Sequence, residues 1–280
     1  MSAGILFFNH GVRHIARLVV AIHSLRKHWC GEVFVLHTGD PDSAPILKQI
    51  DDDRRLGVSL RRFNMQQLRR NSCYVAKSGL WRHSPFDVSL LVDSDTMFLR
   101  SPQPLLDLVA DREKPGFLVT AFSDWVTNGK TIGGRLRKWH NVKCDGMNVQ
   151  AMEIESLLKP LPAVNTGVVG WRDDRESLQT LRAWWDLTTA GQRNPFTDEL
   201  AAQLLIRHYP HQLVAETWNS SVLYAKDREN AAILHMHGGK HLRPEAGGRW
   251  EAEYRECCAA GIAGIEKWGP ATDSRLIGLC

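Results

Sequence analysis

No apolar run in the 280-residue chain approaches the ~18 residues that a membrane-spanning helix requires. The segment Ile5-Leu6-Phe7-Phe8 is too short for the core of a signal peptide, so a cytoplasmic location is expected, with peripheral attachment to a membrane left open. Regular cysteine spacing is missing too. Cys30, Cys73, Cys144, Cys257, Cys258 and Cys280 form neither a disulfide framework nor a C-x-x-C pair suited to zinc, and they read as reduced thiols. Nor is there an excess of one charge. Lys and Arg total 35 against 31 Asp and Glu, giving a net charge of +4, and the basic residues lie in scattered pairs such as Arg61-Arg62 and Arg69-Arg70. That argues against nucleic acid as a partner, while a basic cleft still suits a small anion such as a nucleotide. Internal repeats and low-complexity stretches are absent.

What is there is a globular composition, 43% hydrophobic and 24% charged, which sets aside disordered and fibrous classes. The length fits one large α/β domain with an appended tail. Ile5 to Phe8 reads as a strand, Asn9-His10-Gly11 as a turn, the stretch to about His28 as a helix, and Val33-Phe34-Val35-Leu36 as a second strand. This is a βαβ unit, so the strands run parallel and a ligand crevice opens at their carboxyl ends, where Asn9, His10 and Arg13 belong. In the helix, Ile15, Leu18, Val19, Ile22 and Leu25 recur at three and four residues, a stripe that packs on a sheet.

A polar helix, a short strand around Val58-Ser59-Leu60 and a helix from about Ser72 to Trp81 follow. The run Asp51-Asp52-Asp53-Arg54-Arg55 reads as a solvated helix face. Lys77 precedes the next strand and reads either as a phosphate or ribose contact or as a surface lysine.

The most informative stretch is Ser89-Leu90-Leu91-Val92-Asp93-Ser94-Asp95-Thr96-Met97-Phe98-Leu99. An apolar strand delivers the carboxylates to the rim of a sheet, where the alternation of an extended chain turns Asp93 and Asp95 the same way. Two hard oxygen ligands on one side are what a divalent cation carrying a diphosphate requires. A strand ending in an ordinary turn would also favour Asp and Ser.

After Ser101-Pro102-Gln103-Pro104 come a short helix at Leu105 to Val109 and a strand at Phe117 to Phe122. Residues 123–162 lack periodicity and read as a mobile acceptor-side loop. Ala163 to Trp171 is a strand interrupted near its start by Asn165-Thr166-Gly167. Glycine there permits close approach of a ligand or marks a bulge, and Asn can hydrogen-bond a sugar hydroxyl. Helices are expected from about Asp174 to Ala190 and from Thr197 to His208, the second opening with Asp198-Glu199, a position where carboxylates also complement the helix dipole. Trp218-Asn219 closes a short extended piece. The strand Ala231 to Leu234 then runs into His235-Met236-His237-Gly238-Gly239-Lys240, a group able to supply a metal ligand and a cation for a diphosphate together.

Taken in order, Asp93-Ser94-Asp95, Asn165-Thr166-Gly167, Asp198-Glu199 and His235 with Gly238 and Lys240 resemble the GT-A glycosyltransferases, most closely family 8, the group of glycogenin and the lipopolysaccharide galactosyltransferases. The resemblance spans most of residues 4–242. It implies an α/β GT-A domain over residues 1–242, with a Rossmann-like, mostly parallel sheet flanked by helices, and residues 243–280 as a tail packed on it. It implies a Mn²⁺ or Mg²⁺ ion held by Asp93, Asp95 and His235, and Lys240 neutralising the leaving diphosphate. Asn165 and Asp198 would hold donor-sugar hydroxyls, with Glu199 near the anomeric carbon. Phe8 and Asn9 would cradle base and ribose, and Ser94, Thr166, His237 and Gly238 would complete the donor site. A UDP-sugar donor, retention of anomeric configuration and an unspecified glycan, lipid, protein or small-molecule acceptor follow from the same resemblance.

Two departures stand out. Lys240 follows His235 by five residues where the family uses six, so His237 or a shifted lysine can hold these roles, and Glu199 stands where the family typically has Gln. Rival readings are a haloacid-dehalogenase-like phosphatase with Asp93-to-Thr96 as its nucleophile motif, and a binding protein that holds nucleotide sugars without turnover. A nucleotidyltransferase would need a glycine-rich basic loop where Asn9-His10-Gly11-Val12-Arg13 stands.

Overall fold

Strand β1 (Ala3–Asn9) is flanked by two parallel neighbours, β2 (Glu32–His37) and β4 (Val88–Asp93), and β2 in turn by β3 (Val58–Arg62). These relations come from a computed structural model that describes residues 1–38, 44–62, 72–122, 143–144, 147–148, 163–192, 197–222, 228–237 and 248–268. The expected βαβ unit is present. Helix α1 (Ile15–Arg26) connects β1 to β2 behind a 3-10 turn at Val12–His14, and Ile15, Leu18, Val19, Ile22 and Leu25 are all fully buried. Each such aliphatic side chain contributes about 1.5–3 kcal/mol of burial free energy, which seats the helix on the sheet.

Beyond the first β-α-β, α2 (Ala44–Asp52) leads into β3 and α3 (Ser72–Ser78) precedes β4. The helix expected to run to Trp81 breaks at Gly79, and Leu80–His83 forms a 3-10 turn; a Cβ at Gly79 would lie 3.0 Å from the Trp185 ring. After β5 (Thr96–Phe98) come α4 (Gln103–Ala110) and β6 (Phe117–Ala121). Of residues 123–162, only the two-residue strands β7 (Lys143–Cys144) and β8 (Met147–Asn148) are described, so the expected acceptor-side loop lies outside the described residues. Strand β9 (Val164–Arg172) is followed by α5 (Arg175–Ala190), which is N-capped by the Asp174 carboxylate accepting from Ser177 N, and by α6 (Thr197–Leu205). The latter stops three residues short of the His208 expected for it.

Strand β10 (Gln212–Val214) completes a seven-stranded sheet in the order β10-β6-β9-β4-β1-β2-β3. Every pairing in it is parallel except those of β9, which runs antiparallel to both β4 and β6. The sheet is therefore mixed and mostly parallel with helices on its faces, as expected. Because β9 is reversed, its first residues arrive at the rim where β4 and β6 end: Val92 pairs with Val168, and Thr120 with Asn165 across a register shift. Of the two readings of Asn165-Thr166-Gly167, the bulge is present, and it leaves the polar pair at the rim.

A three-stranded sheet closes this rim. In it, β12 (Ile233–His235) lies between β11 (Ser220–Ser221) and an antiparallel β5, with His235 paired to Thr96. Trp218-Asn219, expected to be extended, belongs instead to a 3-10 turn, Glu216–Asn219, because the chain bends there to enter β11. Helix α7 (Arg249–Ala259) buries Trp250, Tyr254 and Cys257 in the core that holds α1, and Glu253 reaches His23 at 2.6 Å and Lys27 at 2.7 Å. The run Asp51 to Arg55 is only partly a solvated face: Asp51 and Asp52 are exposed, while Asp53 pairs with Arg55 and accepts from Ala263 N. Cys30, Cys73, Cys257 and Cys258 are free thiols.

Candidate active site

The end of β4 and the turn into β5 present Asp93 and Asp95, with Thr96 Oγ1 donating to the Asp93 carbonyl at 2.8 Å to tighten the turn. The β5–β12 pairing brings in a third group from far along the chain. Met236 N donates to Asp95 O at 2.8 Å, and His235 Nε2 lies 3.3 Å from Asp95 Oδ1 and 3.8 Å from Asp93 Oδ2. One ligand atom each from Asp93, Asp95 and His235 fall within 4.8 Å of one another.

This donor set suits a divalent cation, with two hard carboxylates and an imidazole on one side. Burial lifts the Asp93 carboxyl above the ordinary carboxylate range against the pull of Lys77 and His235, and the like charge of Asp95 adds to the lift. Burial alone would lower the His235 pKa, but Asp95 and Asp93 outweigh it and raise it. Negative charge is thus crowded where a cation would relieve it. Between His235 and His237 the arrangement discriminates. The first faces the carboxylates, whereas the second stands at a φ of 44° with its ring stacked on that of His235, centroids 4.0 Å apart.

Lys77 is no surface lysine. Helix α3 buries it beside the rim, with Nζ 2.7 Å from Asp93 Oδ1, 3.2 Å from Asp198 Oδ2 and 3.3 Å from Thr166 Oγ1. Burial works against its charge, but the carboxylates of Asp93 and Asp198 prevail and raise its pKa above the usual lysine range. Asp198 does more than complement a helix dipole. It is buried at the start of α6, accepts from Thr166 Oγ1 at 2.7 Å through Oδ2, and leaves Oδ1 buried with no partner among the described residues. Glu199 Oε1 accepts from Asn165 Nδ2 at 2.9 Å.

Asn9 closes the other side. Its side chain is buried at the end of β1, with Nδ2 donating to Gly11 O at 3.3 Å and Oδ1 buried and unpartnered among the described residues. Phe8 stacks on the exposed His10, which meets Thr38 Oγ1 at 3.3 Å, and Ser94 is buried in the turn between the aspartates. The Arg13 backbone belongs to the 3-10 turn, and its side chain, like Gly238 and Lys240, lies outside the described residues.

Two residues of this cluster escaped sequence reasoning. Asn219 Oδ1 meets His235 Nδ1 at 2.9 Å, while Asn219 Nδ2 donates to Asn165 Oδ1 at 2.6 Å and to Thr120 Oγ1 at 3.0 Å. Neither an asparagine closing a 3-10 turn nor a threonine near a strand end carries a local signal for such a partner. Gly167 completes the fit, since a Cβ there would lie 2.5 Å from His235 Nδ1 and 2.8 Å from Asn219 Oδ1.

No family model matches the chain, and no curated protein matches it either. Solved structures do. The galactosyltransferase LgtC, in complex with donor and acceptor sugar analogues, superimposes at a TM-score of 0.61 and 13% identity over 90% of this chain and 95% of that one. The glycosyltransferase GlyE of Streptococcus pneumoniae TIGR4 matches at 0.57 and 14% over 94% of this chain and 64% of its own. The bifunctional glycosyltransferase WbbM matches at 0.55 and 13% over 85% of this chain. The chain spans only 46% of the WbbM structure and 64% of the GlyE structure. The fold is therefore the GT-A type found in these glycosyltransferases, as the motifs led us to expect.

Proposed function

We propose that this protein is a metal-dependent glycosyltransferase that moves a sugar from a nucleotide diphosphate, with UDP the favoured carrier, to a glycan, lipid, protein or small-molecule acceptor. The convergence of Asp93, Asp95 and His235 beside Lys77 and Asp198 carries this reading, because it sets a cation site against polar groups suited to a sugar. A bound Mn²⁺ or Mg²⁺ would supply positive charge for the phosphate oxygen on which charge accumulates as the glycosidic bond breaks.

The chain's own residues do the rest. Asp93 and Asp95 bind from the β4 rim, and Lys77 holds the Asp93 carboxylate in place. Asp198 Oδ1, buried and unpartnered among the described residues, accepts a donor-sugar hydroxyl, and Asn9 Oδ1 accepts from the base or ribose. Glu199, steadied by Asn165, stands near the anomeric carbon and stabilises an oxocarbenium-like centre. Lys240 neutralises the departing diphosphate, and residues 123–162 contribute the acceptor side. Retention of configuration, a GT-A domain over 1–242 and a cytoplasmic setting, with free thiols at Cys30, Cys73, Cys257 and Cys258, complete the proposal.

A thermal-shift screen of nucleotide sugars with and without Mn²⁺ tests it, because a ligand that binds only the native state raises its melting point. The expected result is a metal-dependent shift with one nucleotide family and release of that nucleoside diphosphate on turnover. Consumption of a phosphatase substrate instead would favour the dehalogenase-like reading, and a shift without turnover the binding protein.

A further inference from the structure

Every hydrogen-bond role in the chain of groups behind His235 is determined by a donor that has no alternative. The backbone N–H of Gly167 donates to Asn165 Oδ1 at 2.7 Å, so that atom is the amide oxygen and Asn165 Nδ2 is left to donate to Glu199 Oε1 at 2.9 Å. Because Asn165 Oδ1 is an acceptor, the Asn219 atom 2.6 Å from it must be the amide nitrogen. The second hydrogen of that nitrogen goes to Thr120 Oγ1 at 3.0 Å, whose own hydroxyl proton is donated to the Asn165 carbonyl at 2.9 Å. Asn219 Oδ1 is thereby turned toward His235 Nδ1 at 2.9 Å, and an oxygen there accepts only if Nδ1 carries a proton. All of these groups except Glu199 are essentially excluded from water, with Asn165, Asn219 and Thr120 at most 1% exposed, so the arrangement is not free to be replaced by solvent.

We infer that Asn219 is a positioning residue that keeps the proton of His235 on Nδ1 and so presents the Nε2 lone pair to the cation between Asp93 and Asp95. It does so within a relay that runs back through Asn165 to Glu199. This rests on the cation reading proposed above. An imidazole ligand whose far nitrogen is held by an acceptor is fixed in tautomer and in ring orientation, and loss of such a partner typically weakens metal binding roughly 10- to 100-fold. Gly167 belongs to the same device, since its missing side chain lets the ring and the Asn219 oxygen approach.

Two measurements test the inference. The first is ¹⁵N NMR of histidine-labelled protein without metal and with Mg²⁺, His235 being identified through His235→Ala. Nδ1 of His235 is expected to stay protonated in both states, and an unprotonated Nδ1 overturns the assignment. The second is calorimetric titration of Mn²⁺ into the unaltered protein, Asn219→Leu and Thr120→Val, with melting temperature as the check on folding. Asn219→Leu is expected to bind Mn²⁺ roughly 10- to 100-fold more weakly, and Thr120→Val, which keeps the acceptor but loosens its amide, by a smaller factor. Unchanged affinity in a folded Asn219→Leu variant refutes the positioning role while leaving the cation site intact. Failure of the unaltered protein to bind Mn²⁺ sinks the cation reading and the inference together. Should Asn219→Leu not fold, the NMR state of the unaltered protein and Thr120→Val decide.

Discussion

Lys77 Nζ lies 2.7 Å from Asp93 Oδ1 on one side and bonds Thr166 and Asp198 on the other, so one buried ammonium ties the Asp93 end of β4 to the first turn of α6. Replacing it with a neutral side chain leaves two carboxylates without their cation. Lys77→Met is expected to cost about 3–5 kcal/mol of stability in urea denaturation, as removal of one partner of a buried ion pair does. Lys77→Arg is expected to lose less, because the charge survives in a different shape.

Gly167→Ala places a methyl group 2.5 Å from the His235 ring and 2.8 Å from Asn219 Oδ1. The ring must move. A stability loss of about 1–3 kcal/mol is expected from overpacking, together with weaker Mn²⁺ binding by calorimetry. A variant that keeps full affinity would show that ring placement is not critical.

Asp95→Ala is expected to abolish the Mn²⁺-dependent part of the donor thermal shift while the protein remains folded, since Asp95 sits at the rim rather than in the apolar core. Chelation by EDTA should remove the same part of the shift from the unaltered protein, and added Mn²⁺ should restore it. A shift that survives either treatment would place the cation elsewhere.

The α7–α1 contact predicts an acid-sensitive component of stability. Burial alone would raise the Glu253 pKa, but the bonds from His23 and Lys27 prevail and hold it below the ordinary value of 4.5. A depressed native pKa contributes stability that is fully present above 4.5 and is lost as pH falls through the lower native value. Denaturation free energies measured from pH 6 down to about pH 3 should therefore fall less steeply in Glu253→Gln than in the unaltered protein.

The order of elements was legible where local pattern decides: the α1 stripe, the apolar β4 run and the helix from about Asp174 to Ala190 all stand where spacing and composition put them. The candidate site was legible where two of its carboxylates share one strand end, as Asp93 and Asp95 do. It was not legible where burial depends on a distant element. Lys77 looked as much like a surface lysine as a ligand contact because nothing near it in sequence reveals that Asp198 and Thr166 will enclose it. Asp198 likewise resembled an ordinary first-turn acid. The choice between His235 and His237 turned on the pairing of β12 with β5, a register that the histidines themselves do not encode. Asn219 went unseen because its partners are 99, 54 and 16 residues away in sequence.

The reversal of β9 reaches beyond the polar residues it delivers. Phe122 N donates to the Ala163 carbonyl at 2.7 Å, so the polypeptide departs and re-enters at one pinned gateway, directly beside Thr120 and Asn165. The two strand ends that bound residues 123–162 are therefore fastened to each other by the sheet itself, at the edge where Thr120 and Asn165 hold Asn219.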